Sequence, residues 1–232
     1  MVFPLNSKVG KDMKKSLVSS PRFRHDLAGC KSGVGIPVTY SQLSGPVQYT
    51  KAQLGFEVTS CADRQTKLDS ESLLKAKQLV QYVFPDSKFL ACSRDGFDSI
   101  ATFELPVAVG VDANKVKNNM AVTFSQDQVL VSMSQDVRNR IKQIADSLVG
   151  YDPTTFEIMI GFKNDSPNGW QIYVPSALLN ADGYKKDLPI HAMHVNQEKG
   201  ELMTFTLSNV ATRQVARGES TMAFALNPMP KQ

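Results

Sequence analysis

Two spacings of apolar residues run along this chain. Short stretches rich in β-branched and aromatic residues recur at 36–41, 54–60, 88–93, 99–105, 120–125, 129–133, 156–162, 170–174, 190–195, 202–207 and 221–226. Each predicts a strand. The stretches LMTFTL at 202–207 and TMAFAL at 221–226 alternate apolar and polar residues, as half-buried strands do. Asp95-Gly96, Asn168-Gly169 and Gly200 stand between such stretches, where glycine reaches positive φ without steric cost. Short antiparallel hairpins are expected there.

The helical spacing appears twice. Over 73–84, Leu73, Ala76, Val80, Val83 and Phe84 share one face, with Asp69, Ser70 and Glu71 suited to the start and Pro85 to the stop. Over 134–149, Val137, Ile141, Ile144, Ala145 and Leu148 do the same. Ser134 is the expected cap, Asp136 meets the positive end of the helix dipole, and Gly150 closes the helix.

Eleven strands and two helices predict a mainly β fold: an antiparallel β-sandwich or jelly-roll-like body with two α-helices. The alternative is an α+β layout with both helices on one sheet. A parallel sheet would need a helical crossover at each step, and the helices are too few. The pattern divides the chain into a basic N-terminal arm and hinge at 1–34, with the Gly/Ser-rich AGCKSGVG at 28–35, and a single β-rich body at 35–232.

Charge sharpens that division. The chain carries 26 Lys and Arg against 22 Asp and Glu, a net +4. Residues 1–31 hold seven basic residues (Lys8, Lys11, Lys14, Lys15, Arg22, Arg24, Lys31) and two acidic ones (Asp12, Asp26), or +5. The remaining 19 basic and 20 acidic residues give −1. A segregated excess points to a polyanionic partner rather than to general solubility.

The arm supports two functional readings. Seven cations can neutralise phosphates, and Phe23 between Arg22 and Arg24 can stack on a base, which suits nucleic acid, above all RNA, without sequence specificity. Alternatively, Leu5, Val9, Met13 and Leu17 recur every four residues with Lys8, Lys11, Lys14 and Lys15 around them, the pattern of a basic amphipathic helix on an anionic membrane. An exposed terminus that docks on a neighbouring subunit is the plainer reading. Phosphate added at Ser19 or Ser20 would subtract charge from the arm. Arg138, Arg140 and Lys142 form a second basic group, for which a solvated helix face is the ordinary explanation.

Other chemistry is sparse. GCKSG at 29–33 lacks the glycines of a phosphate loop, because Cys30 stands directly before Lys31 where a glycine belongs. His191 and His194 lie three apart on an expected strand, which points them to opposite faces, so ordinary structural histidines are expected there and no metal. Three cysteines at wide spacing (Cys30, Cys61, Cys92) argue against a disulfide framework and suit a reducing compartment. The opening MVFPLNSKVGKDMKK has no apolar run of the roughly 7–15 residues of a secretory signal, and no run nears the roughly 20 residues of a membrane span. No catalytic residue, cofactor or metal is assigned. Trp170 is expected in the core.

A basic arm, a glycine hinge and a compact β body together resemble, in layout alone, small viral coat or matrix proteins. The resemblance implies a non-enzymatic, self-assembling subunit of a virion, met also in host cytoplasm. Its arm would contact genome nucleic acid or neighbouring copies, or an anionic membrane in the matrix-type variant. A non-catalytic single-stranded nucleic-acid-binding protein is the further alternative.

Overall fold

The structure, a computed structural model, describes residues 32–95, 98–117, 119–147, 156–174 and 193–229. Its elements run β1 (Ser32–Thr39), α1 (Tyr40–Ser44), β2 (Gln48–Val58), α2 (Glu71–Val83), β3 (Lys88–Asp95), β4 (Asp98–Gly110), β5 (Met120–Ser125), β6 (Gln128–Met133), α3 (Gln135–Ser147), β7 (Phe156–Lys163), β8 (Trp170–Val174), β9 (Met193–Gln197), β10 (Leu202–Thr206), α4 (Asn209–Arg217) and β11 (Thr221–Pro228). The fold is mainly β. Each expected strand overlaps an observed one, and both expected helices are present.

All eleven strands belong to one sheet, ordered β10-β7-β1-β2-β4-β5-β6-β11-β8-β9, with β3 on the free part of the β4 edge. The sheet curls until its halves face each other. Phe224 of β11 packs on Phe205 of β10 at 4.5 Å and on Phe162 of β7 at 5.4 Å between ring centroids, although β11 lies far from both along the sheet. Sandwich-like packing therefore arises inside a single curled sheet.

The two ends of the sheet, β9 and β10, are consecutive in the chain and joined by a turn with Gly200 at φ +89°. Buried Gln197 stitches this closure. Its Nε2 donates to the carbonyls of Glu201 (3.0 Å) and Phe162 (3.2 Å), and its own carbonyl accepts from Asn164 Nδ2 at 3.4 Å.

Two pairings correct the expectation of a wholly antiparallel body. β1 runs parallel to β7 over eight residue pairs, and β4 runs parallel to β5 over three. For β1 and β7 the reason is topological: they are far apart in sequence, and the long chain between them serves as the crossover that a parallel pair needs. β1 lies between β2 and β7 and is buried almost throughout. The segment 32–35, read as hinge from its glycines, is thus the first half of a central strand, and the body starts no later than Ser32.

Two helices were not foreseen. Thr39 caps α1 in a reciprocal capping box with Gln42. Ser208 caps α4 through the amide of Ala211, and Gly218 ends it at φ +95°. In α2, Ser70 caps as expected, and Leu73, Ala76, Val80 and Val83 face inward. At α3, Val137 is fully buried and Ile141 half-buried, but the cap expected of Ser134 is not made: its Oγ has no hydrogen-bond partner. The side chains of Ile144 and Ala145, and residues 148–150, lie outside the described part.

Candidate functional site

α2, α3 and α4 converge over β1, β2 and β7 without closing on them, leaving a cleft of about 130 Å³. Its walls are almost wholly apolar. Leu79, Val83 and Phe84 come from α2 and its end, Ile141 from α3, Ala216 from α4, and Phe56 and Phe156 from the sheet. The polar residues in the lining are Ser32 and Thr212. With no carboxylate, imidazole or thiol in its walls, the cleft offers van der Waals contact and no acid–base pair. Ser32 opens β1, so the N-terminal segment joins the body at the rim of this cleft.

Polar ties hold the helices around it. Tyr82 on α2 donates its hydroxyl to Gln143 on α3. Arg138 on α3 donates Nη1 to the carbonyl of Arg217 at 3.0 Å and Nη2 to Gln135. That guanidinium sits on the last turn of α4, where carbonyls and the negative end of the dipole favour a cation. A Cβ at Gly218 would displace the guanidinium from this position, and the φ of +95° favours glycine there independently.

The second basic group is therefore divided. Arg138 is engaged in joining α3 to α4, Arg140 is half-buried, and Lys142 is exposed. The structure does not gather the three into one cationic surface. Lys8, Lys11, Lys14, Lys15, Arg22, Phe23, Arg24 and Lys31 lie outside the described residues, as do Cys30, His191, Ser19 and Ser20. His194 falls on β9. Among the described residues, no three His, Cys, Asp or Glu come together in a way that could hold a metal, and no helix is long and apolar enough to cross a membrane.

The cysteine expectation is overturned. Cys61 and Cys92 form a disulfide, with Cα atoms 5.6 Å apart. Counting cysteines as an odd set hid the pairing, which leaves Cys30 over. The bridge fastens the loop after β2 to β3. That loop is itself ordered by Asp63, which accepts from the amides of Thr66 (2.8 Å) and Gln65 (3.0 Å); these bonds hold its carboxyl below the usual carboxylate range. Beside the bridge, β3 pairs with β4 on one side, shifts register between Phe89 and Ala91, and exposes Phe89 and Leu90. Lys77 lies 3.9 Å over the Phe89 ring and 2.5 Å from Asp69.

At the other end of β1, Asp165 accepts from the Ser41 amide (2.9 Å) and hydroxyl (2.5 Å), locking α1 to the β7–β8 loop. Partial burial pushes its carboxyl up, but the bonds from Ser41 outweigh that and hold it below its ordinary value. Trp170 is a core residue, as expected. It stacks on Tyr40 at 4.6 Å and donates Nε1 to Ser166 Oγ at 2.8 Å.

A family model described as a domain of unknown function (DUF7424) matches residues 32–231. No curated protein and no solved structure matches the chain. The match begins at the residue that begins β1.

Proposed function

This chain belongs to the DUF7424 family, and we propose that it is a non-enzymatic structural protein whose N-terminal segment holds a β-rich body against an anionic surface. One observation carries the reading. The family match begins at Ser32, and the segment before it holds a charge of +5 while the rest of the chain holds −1. Attachment and scaffold are thus separate parts of one chain.

A membrane is the surface this reading takes, and the Cys61–Cys92 bridge suits a body held outside the reducing cytosol. Disulfides persist in oxidising compartments, cell and virion surfaces among them, and are rare where thiols are kept reduced. Flotation of the full chain with vesicles tests the reading. Each lysine near an anionic bilayer adds about 1 kcal/mol, so replacing Lys8, Lys11, Lys14 and Lys15 by alanine is expected to weaken binding roughly 10³-fold. Equal flotation of both proteins, or equal binding to neutral vesicles, overturns it.

A capsid or coat subunit is the second reading, favoured by the same segregated charge. It implies homo-oligomers and RNA binding that weakens with salt, with a log–log slope of about −5 if all seven cations meet single-stranded phosphates. A slope near zero removes it.

A further inference from the structure

The sequence from Leu27 reads Leu-Ala-Gly-Cys-Lys-Ser-Gly. As a phosphate loop it fails, yet the four residues ending at Cys30 have another chemistry. A leucine, two small residues and a cysteine form the pattern that prokaryotic export machinery reads as a lipid-attachment signal, since small residues before the cut fit a peptidase's narrow site.

Three separate observations bear on it. Cys61 and Cys92 are bonded to each other, so Cys30 is the cysteine left over, and their bridge suits a compartment outside the reducing cytosol. Upstream, Met13-Lys14-Lys15 supplies the positively charged start of a leader, 17 residues before Cys30. Downstream, the family match starts at Ser32, so the chain past Cys30 contains the whole matched domain.

We propose that Cys30 is a lipid-attachment site at which the mature chain begins. The proposal rests on the membrane reading above and replaces its electrostatic contact by a covalent one. The Cys30 sulfur attacks the glyceryl carbon of a phospholipid. A C–S thioether forms, the glyceryl C–O bond to phosphate breaks, and the leaving phosphate ester takes the thiol proton. Water then cleaves the Gly29–Cys30 peptide bond, giving a leader carboxylate and a Cys30 amine. Two acyl chains hold a protein on a bilayer stably, where one chain binds reversibly. The basic stretch acts before cleavage, keeping the leader's start on the cytoplasmic side.

The anchor also orients the body. Lys31 alone separates Cys30 from buried Ser32, a reach of about 7 Å. Ser32 is flanked by Phe56 on β2 and Phe156 on β7. The anchor therefore keeps the Ser32 end of β1, and with it the rim of the cleft, close to the bilayer.

The leader's middle is polar. Among residues 16–26, Leu17, Val18 and Phe23 are set among Arg22, Arg24, His25 and Asp26. Slow export and a minor modified fraction are expected, rising several-fold when Arg22, Arg24 and Asp26 are replaced together by leucine.

The test is intact-mass analysis of membrane and soluble fractions from a bacterial host producing the full chain, the triple leucine variant and Cys30→Ser. The expected result is a membrane species of the native chain that starts at Cys30 and carries diacylglyceryl there, enriched in the triple variant and absent from Cys30→Ser. A native chain that keeps residues 1–29 and a free Cys30 thiol overturns the proposal, as does lipid retained by Cys30→Ser. Vesicle flotation of unmodified protein reads the charge contact separately. Lysine-dependent flotation with no lipid on Cys30 overturns this proposal alone, and lipid on Cys30 without such flotation supports it and removes the electrostatic reading.

Discussion

Reducing the Cys61–Cys92 bridge is the perturbation that bears on both the fold and the compartment. The two cysteines are 31 residues apart. In the chain-entropy account, closing a loop of that length removes about 12 cal/mol/K from the unfolded ensemble, which stabilises the native state by about 3.7 kcal/mol at 25 °C. That is a large share of the 5–15 kcal/mol typical of a folded domain. For a chain of this size it corresponds to a fall in Tm of about 7–15 °C. Thermal unfolding followed by the fluorescence of Trp170, buried and stacked on Tyr40, measures it with and without reductant. Alkylation under denaturing, non-reducing conditions must leave Cys61 and Cys92 unlabelled, and after reduction label both. Labels on both Cys61 and Cys92 without reduction refute the bridge itself. An intact bridge whose reduction leaves Tm unchanged refutes the reasoning about its loop.

Further perturbations probe other parts of the account. Phe224→Ala removes the ring that meets both Phe162 and Phe205, and about 3–5 kcal/mol is expected to be lost in denaturant titration, because the two halves of the curled sheet meet there. Gly218→Ala places a side chain at φ +95° and against the Arg138 guanidinium; a loss of at least about 1–2 kcal/mol is expected from the backbone, smaller in an Arg138→Ala background. Asp165→Asn tests the lock on α1. The carboxyl of Asp165 titrates below its ordinary value of 3.8, so its contribution is present above that pH and lost as pH falls through the folded value. The Tm difference between wild type and Asp165→Asn is therefore expected to close at acid pH, and a difference that widens there contradicts the assignment.

Strands and long helices were legible because their signal is local. Trp170, Ile172 and Val174 alternate with Gln171 and Tyr173 in burial as in sequence, and the 73–84 face of α2 needed no partner to be read. What escaped was relational. The parallel contact of β1 with β7 depends on where a distant strand arrives. The glycines at 33 and 35 were read as a hinge, whereas they sit in a strand whose neighbours crowd both edges. α4 shows a stop at Gly218 and a start at Ser208, but its inward residues, Ala211, Thr212 and Val215, are too few for a periodic signal. Arg138 read as a surface charge because its partner, the carbonyl of Arg217, carries no sequence mark. The apolar cleft likewise exists where three helices and a sheet meet, and no single segment announces it.

The central claim is that the segment before Ser32 brings an oxidised β body to a membrane. One measurement meets it directly: cells producing the full chain are quenched in acid, alkylated under denaturing conditions, and compared with a parallel culture separated into membrane and soluble fractions. The account predicts chain in the membrane fraction with Cys61 and Cys92 unlabelled. Chain found in the soluble fraction with both cysteines labelled contradicts it.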